Sequence, residues 1–133
     1  MKTIILILSI FLATSCNNDD DNLTEQNNQD IVATWNLLRF EQFGPIYNYN
    51  NEEIQWIFNS NETVTVEIVD GTEVDSNLLL NNSGIYSYSI ENNGIFLDGI
   101  LYPFEINNNE LIILINGGPS VDGEQLTFTK LEE

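Results

Sequence analysis

The 133-residue sequence contains no histidine, and this absence removes several kinds of active site. A serine or cysteine nucleophile is commonly activated by a histidine base, and histidine is a common ligand of catalytic zinc. Paired carboxylates remain a chemical option, since a glycosidase needs only two acids at a suitable separation. The candidates near aromatic positions are Glu41, Glu53, Glu91 and Asp98. Alternation turns Glu67 and Glu105 outward, which leaves few inward candidates, so we predict a protein that is not an enzyme and has no cofactor.

Basic residues are almost as scarce. Lys2, Arg39 and Lys130 stand against 21 acidic residues, which gives a formal net charge of −18. Nucleic-acid binding depends on clustered lysine and arginine, as does a polybasic membrane patch, so both are excluded. The acidity favours solubility and colloidal stability. Cys16 is the only cysteine, so the chain has no internal disulfide and its stability must come from a hydrophobic core.

The first 15 residues have the layout of a secretory signal. A short basic start is followed by an apolar run over residues 4–13, interrupted only by Ser9, and then by the small residues Thr14 and Ser15. The apolar run is about ten residues long, well below the roughly 20 that a membrane-spanning helix needs. We therefore predict a signal peptide over residues 1–15.

The small residues end at Cys16, and this sequence resembles the lipobox of bacterial lipoproteins. The resemblance implies cleavage before Cys16, a diacylglyceryl thioether on its sulfur and an acyl chain such as palmitate on its amino group. Two or more chains give a stable membrane anchor. The alternative is an ordinary cleaved signal that leaves a free thiol.

Residues 16–30 are predicted to be a lipidated cysteine and a flexible acidic tether, because almost nothing in this stretch can be buried. Asp19, Asp20 and Asp21 resemble the acidic export signal of surface lipoproteins in the Bacteroidota. The resemblance implies an outer-membrane protein that faces the cell exterior. The alternative is a plain linker, extended by its own charge repulsion.

From residue 31 to 133 the pattern is that of one all-β domain. Short runs with alternating apolar residues are separated by Asn, Gly, Asp and Ser at spacings typical of antiparallel strands and tight turns. Eight strands are predicted, over residues 32–43, 53–59, 63–70, 84–91, 95–98, 100–106, 111–116 and 125–131. An eight-stranded up-and-down barrel protects every strand edge and is our first choice, with a β-sandwich as the alternative.

The two ends of this domain resemble the lipocalin-like domains of small Bacteroidota lipoproteins. In lipocalins a Gly-x-Trp motif opens the first strand, and a basic residue from the end of the barrel lies across the tryptophan. Here Trp35 and Lys130 stand at those positions, with Ala33 in place of the glycine. The resemblance implies that Trp35 and Lys130 close the barrel where its first and last strands meet.

A predicted set of aromatic residues lines the barrel interior: Trp35, Trp56, Phe58, Tyr86, Tyr88, Tyr102, Phe104 and Phe128. These side chains can enclose a small hydrophobic or amphipathic ligand or simply fill the space. The first hypothesis is therefore a membrane-anchored ligand-binding lipoprotein. The alternative is a filled barrel that serves as an accessory subunit of a cell-surface assembly and binds a protein partner, with the doubly apolar strand 111–115 as the contact.

Two local features stay open. Strict alternation from Trp35 turns Arg39 inward and Phe40 outward, whereas a β-bulge near Leu37 or Leu38 returns Leu38 and Phe40 to the core and turns Arg39 out; we favour the bulge. Acidic stretches at residues 70–75 and 122–124 offer oxygen ligands for calcium but do not match an EF-hand loop, and we interpret them as solvated turns, without a metal site.

Overall fold

A computed structural model describes residues 28–116 and 123–132 of the chain. One helical turn, α1 (Asn28–Ile31), precedes the strands. Within the described residues the strands are β1 (Thr34–Glu41), β2 (Ile46–Asn48), β3 (Ile54–Phe58), β4 (Thr63–Ile68), β5 (Gly84–Glu91), β6 (Gly94–Leu97), β7 (Ile100–Asn107), β8 (Glu110–Ile115) and β9 (Glu124–Lys130). No helix in this part of the chain is long and apolar enough to cross a membrane.

The strands form a closed antiparallel up-and-down barrel, as predicted, and not a sandwich. Each strand from β3 to β8 pairs with the strand that follows it. β1 closes the ring by pairing with β3 on one side and β9 on the other. The barrel therefore has eight strands. The remaining strand, β2, is a short addition that pairs with the second half of β1, beyond the point where β3 ends.

All eight predicted strands are present within one or two residues of their expected limits, whereas β2 was missed. Its three residues follow Pro45 and precede an Asn-rich stretch, so the sequence there has the composition of a loop. The turns behave as expected: Asn92 and Asn93 both have positive φ, as do Asp98 and Gly99. Two such residues in succession are the type I′ geometry that suits a tight hairpin. Most of the predicted turn at 117–124 lies outside the described residues.

The predicted bulge in β1 is also present. The register between β1 and β9 shifts between Leu37 and Arg39, so Phe40 points into the core and is fully buried. Leu38 is only half-buried. Arg39 is on the outer face, where its Nε lies 3.3 Å from Oε1 of Glu41 and its side chain is 44% exposed. The extra residue thus lets β1 keep both Trp35 and Phe40 inside.

The two ends of the barrel differ. The base is the end where β1 begins; it carries α1 and the short turns at residues 60–62, 92–93 and 108–109. The mouth is the opposite end; it carries β2, the long connection of residues 69–83 and the Asp98–Gly99 turn. Ile31 from α1 is buried at the base, and Leu78 and Leu80 from the long connection are buried at the mouth. Both ends are therefore covered by the chain itself.

Candidate functional site

The predicted aromatic set lies on the inner face of the barrel. Alternation along the paired strands directs all eight side chains inward, and every one except half-buried Tyr86 is buried. Sequence periodicity thus located the interior. Whether the interior holds a ligand depends on how these rings pack.

The rings at the centre are in contact with one another. Trp56 lies between Phe58, with ring centroids 6.1 Å apart, and Phe128, with centroids 5.0 Å apart. Phe58 in turn meets the edge of Tyr88 at 5.0 Å. These separations are those of packed aromatic pairs, which stabilise a core beyond the area that they bury. In this part of the barrel the side chains fill the space between the walls.

Trp35 closes the base. Its indole Nε1 donates a hydrogen bond to the carbonyl of Ile31, 2.8 Å away, which fixes α1 beneath the barrel. Lys130 is the register partner of Trp35, and its Nζ lies 5.9 Å from the centroid of the indole ring. This distance is at the outer limit of a cation–π contact. The structure thus brings together the two residues on which the lipocalin resemblance rests.

At the mouth, Asp75 ties the long connection to the end of β1. Its carboxylate accepts hydrogen bonds from the backbone amide of Asn77 and from Nε2 of Gln42, each at 2.8 Å. The Asn77 amide, followed by the hydroxyl of Tyr47, holds the pKa of Asp75 below its ordinary value. The carboxylate therefore acts as a clamp for the segment that carries Leu78 and Leu80. No local pattern predicts the contact between Asp75 and Gln42, because the two residues are 33 positions apart.

The acidic stretch that includes Asp75 does not form a ligand cage. Within the residues that the structure describes, no group of three or more carboxylate or cysteine side chains converges on one point. Asp122 of the second acidic stretch lies outside the described residues.

The four carboxylates considered for catalysis lie apart from the core. Glu41 is on the outer face beside Arg39 and accepts a short hydrogen bond from Gln125. Glu53 accepts hydrogen bonds from Asn50, whose side-chain and backbone donors lower the pKa of Glu53. Glu91, at the end of β5, and Asp98, in the turn between β6 and β7, are both exposed. None of these four carboxylates is buried, so the geometry brings no two of them together in a dry cleft.

Three grooves open on the surface. One, of about 730 Å³, lies at the mouth between β2 and residues 71–75. A second, of about 460 Å³, lies at the base beside Lys130. The third, which we call the side groove, has a volume of about 450 Å³ and runs between β5 and the turn that joins β6 to β7. It is lined by Tyr86, Ser87, Tyr88, Ser89, Phe96, Asp98 and Gly99.

The side groove is the one that involves the predicted aromatic set, through Tyr86 and Tyr88. The Tyr86 hydroxyl donates to the carbonyl of Asn82 at 2.9 Å, and the Tyr88 hydroxyl donates to the carbonyl of Asn59 at 2.9 Å. Burial raises the pKa of Tyr88 above its ordinary value, with a smaller contribution from Glu62. Both hydroxyls are thus held by the chain itself, and because Tyr88 is buried, the half-buried Tyr86 ring is the surface that this pair offers to the groove.

The outer face beside the groove is apolar. Ile85, Phe96 and Leu101 are exposed there, and Ile100, on the inward-facing side of β7, is exposed at the mouth. Phe96 and Leu101 are register partners on β6 and β7 and form a continuous apolar surface. The doubly apolar strand β8, by contrast, has only half-buried side chains on its outer face, Ile112 and Leu114. Sequence reasoning placed the contact surface on β8, and the structure exposes more apolar area on β5–β7.

No protein-family model matches the chain, and a search of curated proteins found no relative.

Proposed function

We propose that the mature protein is a lipid-anchored, non-catalytic module that acts by binding a partner protein on the outer surface of a filled barrel. The observation that carries this proposal is the occupation of the interior by the chain itself. Trp56, Phe58 and Phe128 are in ring contact at its centre, and Ile31 and Leu78 cover its two ends. A ligand inside would have to displace these contacts, whereas a partner outside meets apolar side chains that are already exposed.

The proposed lipid anchor on Cys16 lies on the N-terminal side of α1, which is at the base of the barrel. Cys16 precedes α1 by 12 residues, which reach at most about 40 Å when fully extended. Because α1 lies at the base, the proposed lipid on Cys16 would be joined to the barrel at its base. The acidic residues 19–21 and the strongly negative domain favour a position outside the outer membrane, as the resemblance to surface lipoproteins implies.

A second candidate function is retained because of the side groove. Its volume suits a small ligand, and its apolar lining includes Tyr86, Tyr88 and Phe96, with Asp98 at the rim. A small amphipathic molecule that stacks on Tyr86 and Phe96 is the form of the ligand-binding hypothesis that the geometry supports best. The ligand would then lie in the barrel wall and not in the barrel centre.

Native mass spectrometry separates the two candidates. The chain from residue 17 onward contains every residue of the described core and is prepared from bacteria without detergent. The filled-barrel proposal predicts the mass of the polypeptide alone, and no change in Trp35 or Trp56 fluorescence when fatty acids or sugars are added. Extra mass that disappears on denaturation would contradict it and favour the small ligand.

The anchor has its own test. Replacement of Cys16 by Ala removes the sulfur that the lipid requires, so we expect the protein to move from the membrane fraction to a soluble one. Replacement of Ser9 by Ala in the same signal leaves the sulfur in place and serves as the control. Retention of the Cys16→Ala protein in the membrane would overturn the lipid anchor.

A further inference from the structure

Among the described residues, half of one edge of β5 has no partner strand. Residues 84–87 pair with β4 on one side, and residues 88–91 pair with β6 on the other. Because β6 turns back at Asp98 and Gly99, no strand in the described part of the chain pairs with residues 84–87 on the β6 side. We call this stretch the β5 edge.

The hydrogen-bonding groups that the β5 edge presents follow from the register. The amide of Tyr88 donates to the carbonyl of Glu62 on the β4 side, so Tyr86 and Gly84 also direct their backbone groups towards β4. Ile85 and Ser87 direct theirs the other way. The β5 edge therefore offers two amides and two carbonyls in the spacing that an antiparallel strand requires.

The space beside the β5 edge is open and apolar. The side groove begins there, between β5 and the Asp98–Gly99 turn. Ile85 is 73% exposed on the outer face next to the free backbone groups, and Phe96 is 38% exposed one strand away. An added strand would place alternate side chains beside Ile85 and the others over the Tyr86 ring, since strand side chains alternate between the two faces.

Charge limits which strand can bind. The charged residues between positions 84 and 107 are Glu91, Asp98 and Glu105, all acidic. The two basic residues of the barrel are elsewhere, Arg39 beside Glu41 and Lys130 over Trp35. A second copy of this chain would meet strong like-charge repulsion at this edge, whereas a segment with lysine or arginine would be attracted.

We propose that the β5 edge binds an extended segment of a partner protein by strand addition, with alternate apolar residues against Ile85 and Tyr86 and a basic residue near Asp98. This inference rests on the proposed function, since it names the kind of partner that the filled barrel takes. Strand addition uses main-chain hydrogen bonds for affinity and the flanking side-chain surfaces for specificity. It also gives a reason for a soluble surface domain to keep an uncovered edge.

Hydrogen exchange tests the edge in the chain from residue 17 onward. In the free protein the amides of Ile85 and Ser87 should exchange fast, and those of Tyr86 and Tyr88 slowly. Peptides of about ten residues, the length of a long strand, are then selected from a random library displayed on phage. We expect the selected sequences to alternate apolar and polar residues and to carry lysine or arginine, and their binding to protect Ile85 and Ser87.

Two matched changes separate strand addition from side-chain binding. Ser87→Pro removes one of the two amide donors of the β5 edge without removing a hydrogen bond to β4, so the best selected peptide should bind about tenfold more weakly or worse, whereas Ser87→Ala should leave its affinity unchanged. N-methylation of the synthetic peptide at one alternate set of amides should abolish binding, and methylation of the other set should not. Should the proline variant fail to fold, Ile85→Lys at an exposed position should weaken binding of the basic peptide.

Several results would overturn the inference. They are slow exchange of Ile85 and Ser87 in the free protein, a selection that enriches no peptide, or equal binding by the Ser87→Pro and Ser87→Ala proteins. If peptides bind while the amides of Ile85 and Ser87 still exchange fast, the β5 edge is excluded as the binding site, but the proposed binding of a partner protein stands. A small molecule that copurifies with the protein and blocks the peptides would contradict the filled-barrel function itself.

Discussion

The outer faces of the two sides of the barrel are opposite in character. On β1 and β9, which we call the packed wall, polar side chains are buried: Asn36 is 3% exposed and Thr127 is 8% exposed. On β5, β6 and β7, the thin wall, apolar side chains such as Ile85 and Leu101 are exposed. If solubility alone determined the outer face, polar side chains would be exposed there and apolar side chains would be buried.

The difference follows from how the strands are paired. β1 and β9 run side by side for most of their length, and β1 is also flanked by β2 and β3, so neighbouring side chains shield one another. β6 has four residues, so in the described part of the chain half of β5 has a partner strand on the β4 side alone. Exposed apolar residues gathered at such a place mark a contact surface. The packed wall thus holds more of the shielded contacts, and the thin wall is the surface on which we propose that a partner binds.

The largest expected effect is the difference between replacing an aromatic residue on the packed wall and replacing one on the thin wall. Phe128→Ala on β9 removes a fully buried ring that packs against Trp56 and should lower the free energy of unfolding by about 3–5 kcal/mol. Phe96→Ala on β6 removes an exposed ring and should cost less than about 1 kcal/mol. Urea titrations followed by tryptophan fluorescence give both values. An equal loss in the two variants would mean that the thin wall is as much part of the core as the packed wall.

Hydrogen bonds on the two outer faces sharpen the same contrast. Asn36 on the packed wall accepts from Nε2 of Gln55 at 2.9 Å, and Asn36→Ala leaves that amide without its partner in a part-buried place. The expected loss is about 1–3 kcal/mol. Ser89 on the thin wall donates to Glu91 at 2.9 Å in an exposed place, so Ser89→Ala should stay within about 0.5 kcal/mol. The prediction fails if the serine variant loses as much as the asparagine variant.

Alkaline pH should lower the stability of the thin wall. Burial raises the pKa values of Tyr88 on β5 and Tyr102 on β7, with smaller contributions from nearby acidic groups. The folded state therefore disfavours the ionised rings, and the stability that they contribute is present below their ordinary pKa of about 10 and is lost as the pH rises above it. Hydrogen exchange at increasing pH, corrected for the intrinsic rate, should show β5–β7 opening more readily above pH 10 than at neutral pH.

Tyr102→Phe is the control for this alkaline effect. The variant keeps the ring and removes the ionisable hydroxyl, so it should lose less stability than the wild type between neutral pH and pH above 10. If its stability falls as steeply as that of the wild type, ionisation of Tyr102 is not the cause.

Much of the barrel could be predicted from the sequence, because one-sided burial leaves a period of two in the strands. Val64 and Val66 on β4 show that period clearly, and so do Leu126 and Phe128 on β9. The bulge before Phe40 could be inferred as well, since unbroken alternation would have put Phe40 in water. In each case a local pattern records which side of the strand faces the core.

The parts that escaped prediction depend on contacts between distant residues. The clamp formed by Asp75 and Gln42 joins residues 33 positions apart, and nothing near either one indicates the other. Likewise, the free side of Ile85 follows from where β6 turns back, at Asp98, and not from the sequence of β5. Alternation could therefore place Tyr86 and Tyr88 inside the barrel, but it could not show that a groove opens beside them.

The smallest expected effect lies within the packed wall, at the seam where β1 meets β9. Lys130→Met keeps the apolar stem over Trp35 and removes the cation, which at the 5.9 Å observed should cost about 0.5 kcal/mol. Arg39→Met on the same wall removes one positive charge from an equally acidic protein and loses only an exposed ion pair with Glu41. Both variants therefore share the general loss from higher net charge, and added salt should remove that shared part. If Lys130→Met still has a lower free energy of unfolding than Arg39→Met in high salt, the difference measures the contact of the cation with Trp35. Equal free energies of unfolding in high salt would show that the cation contributes nothing to closing the barrel.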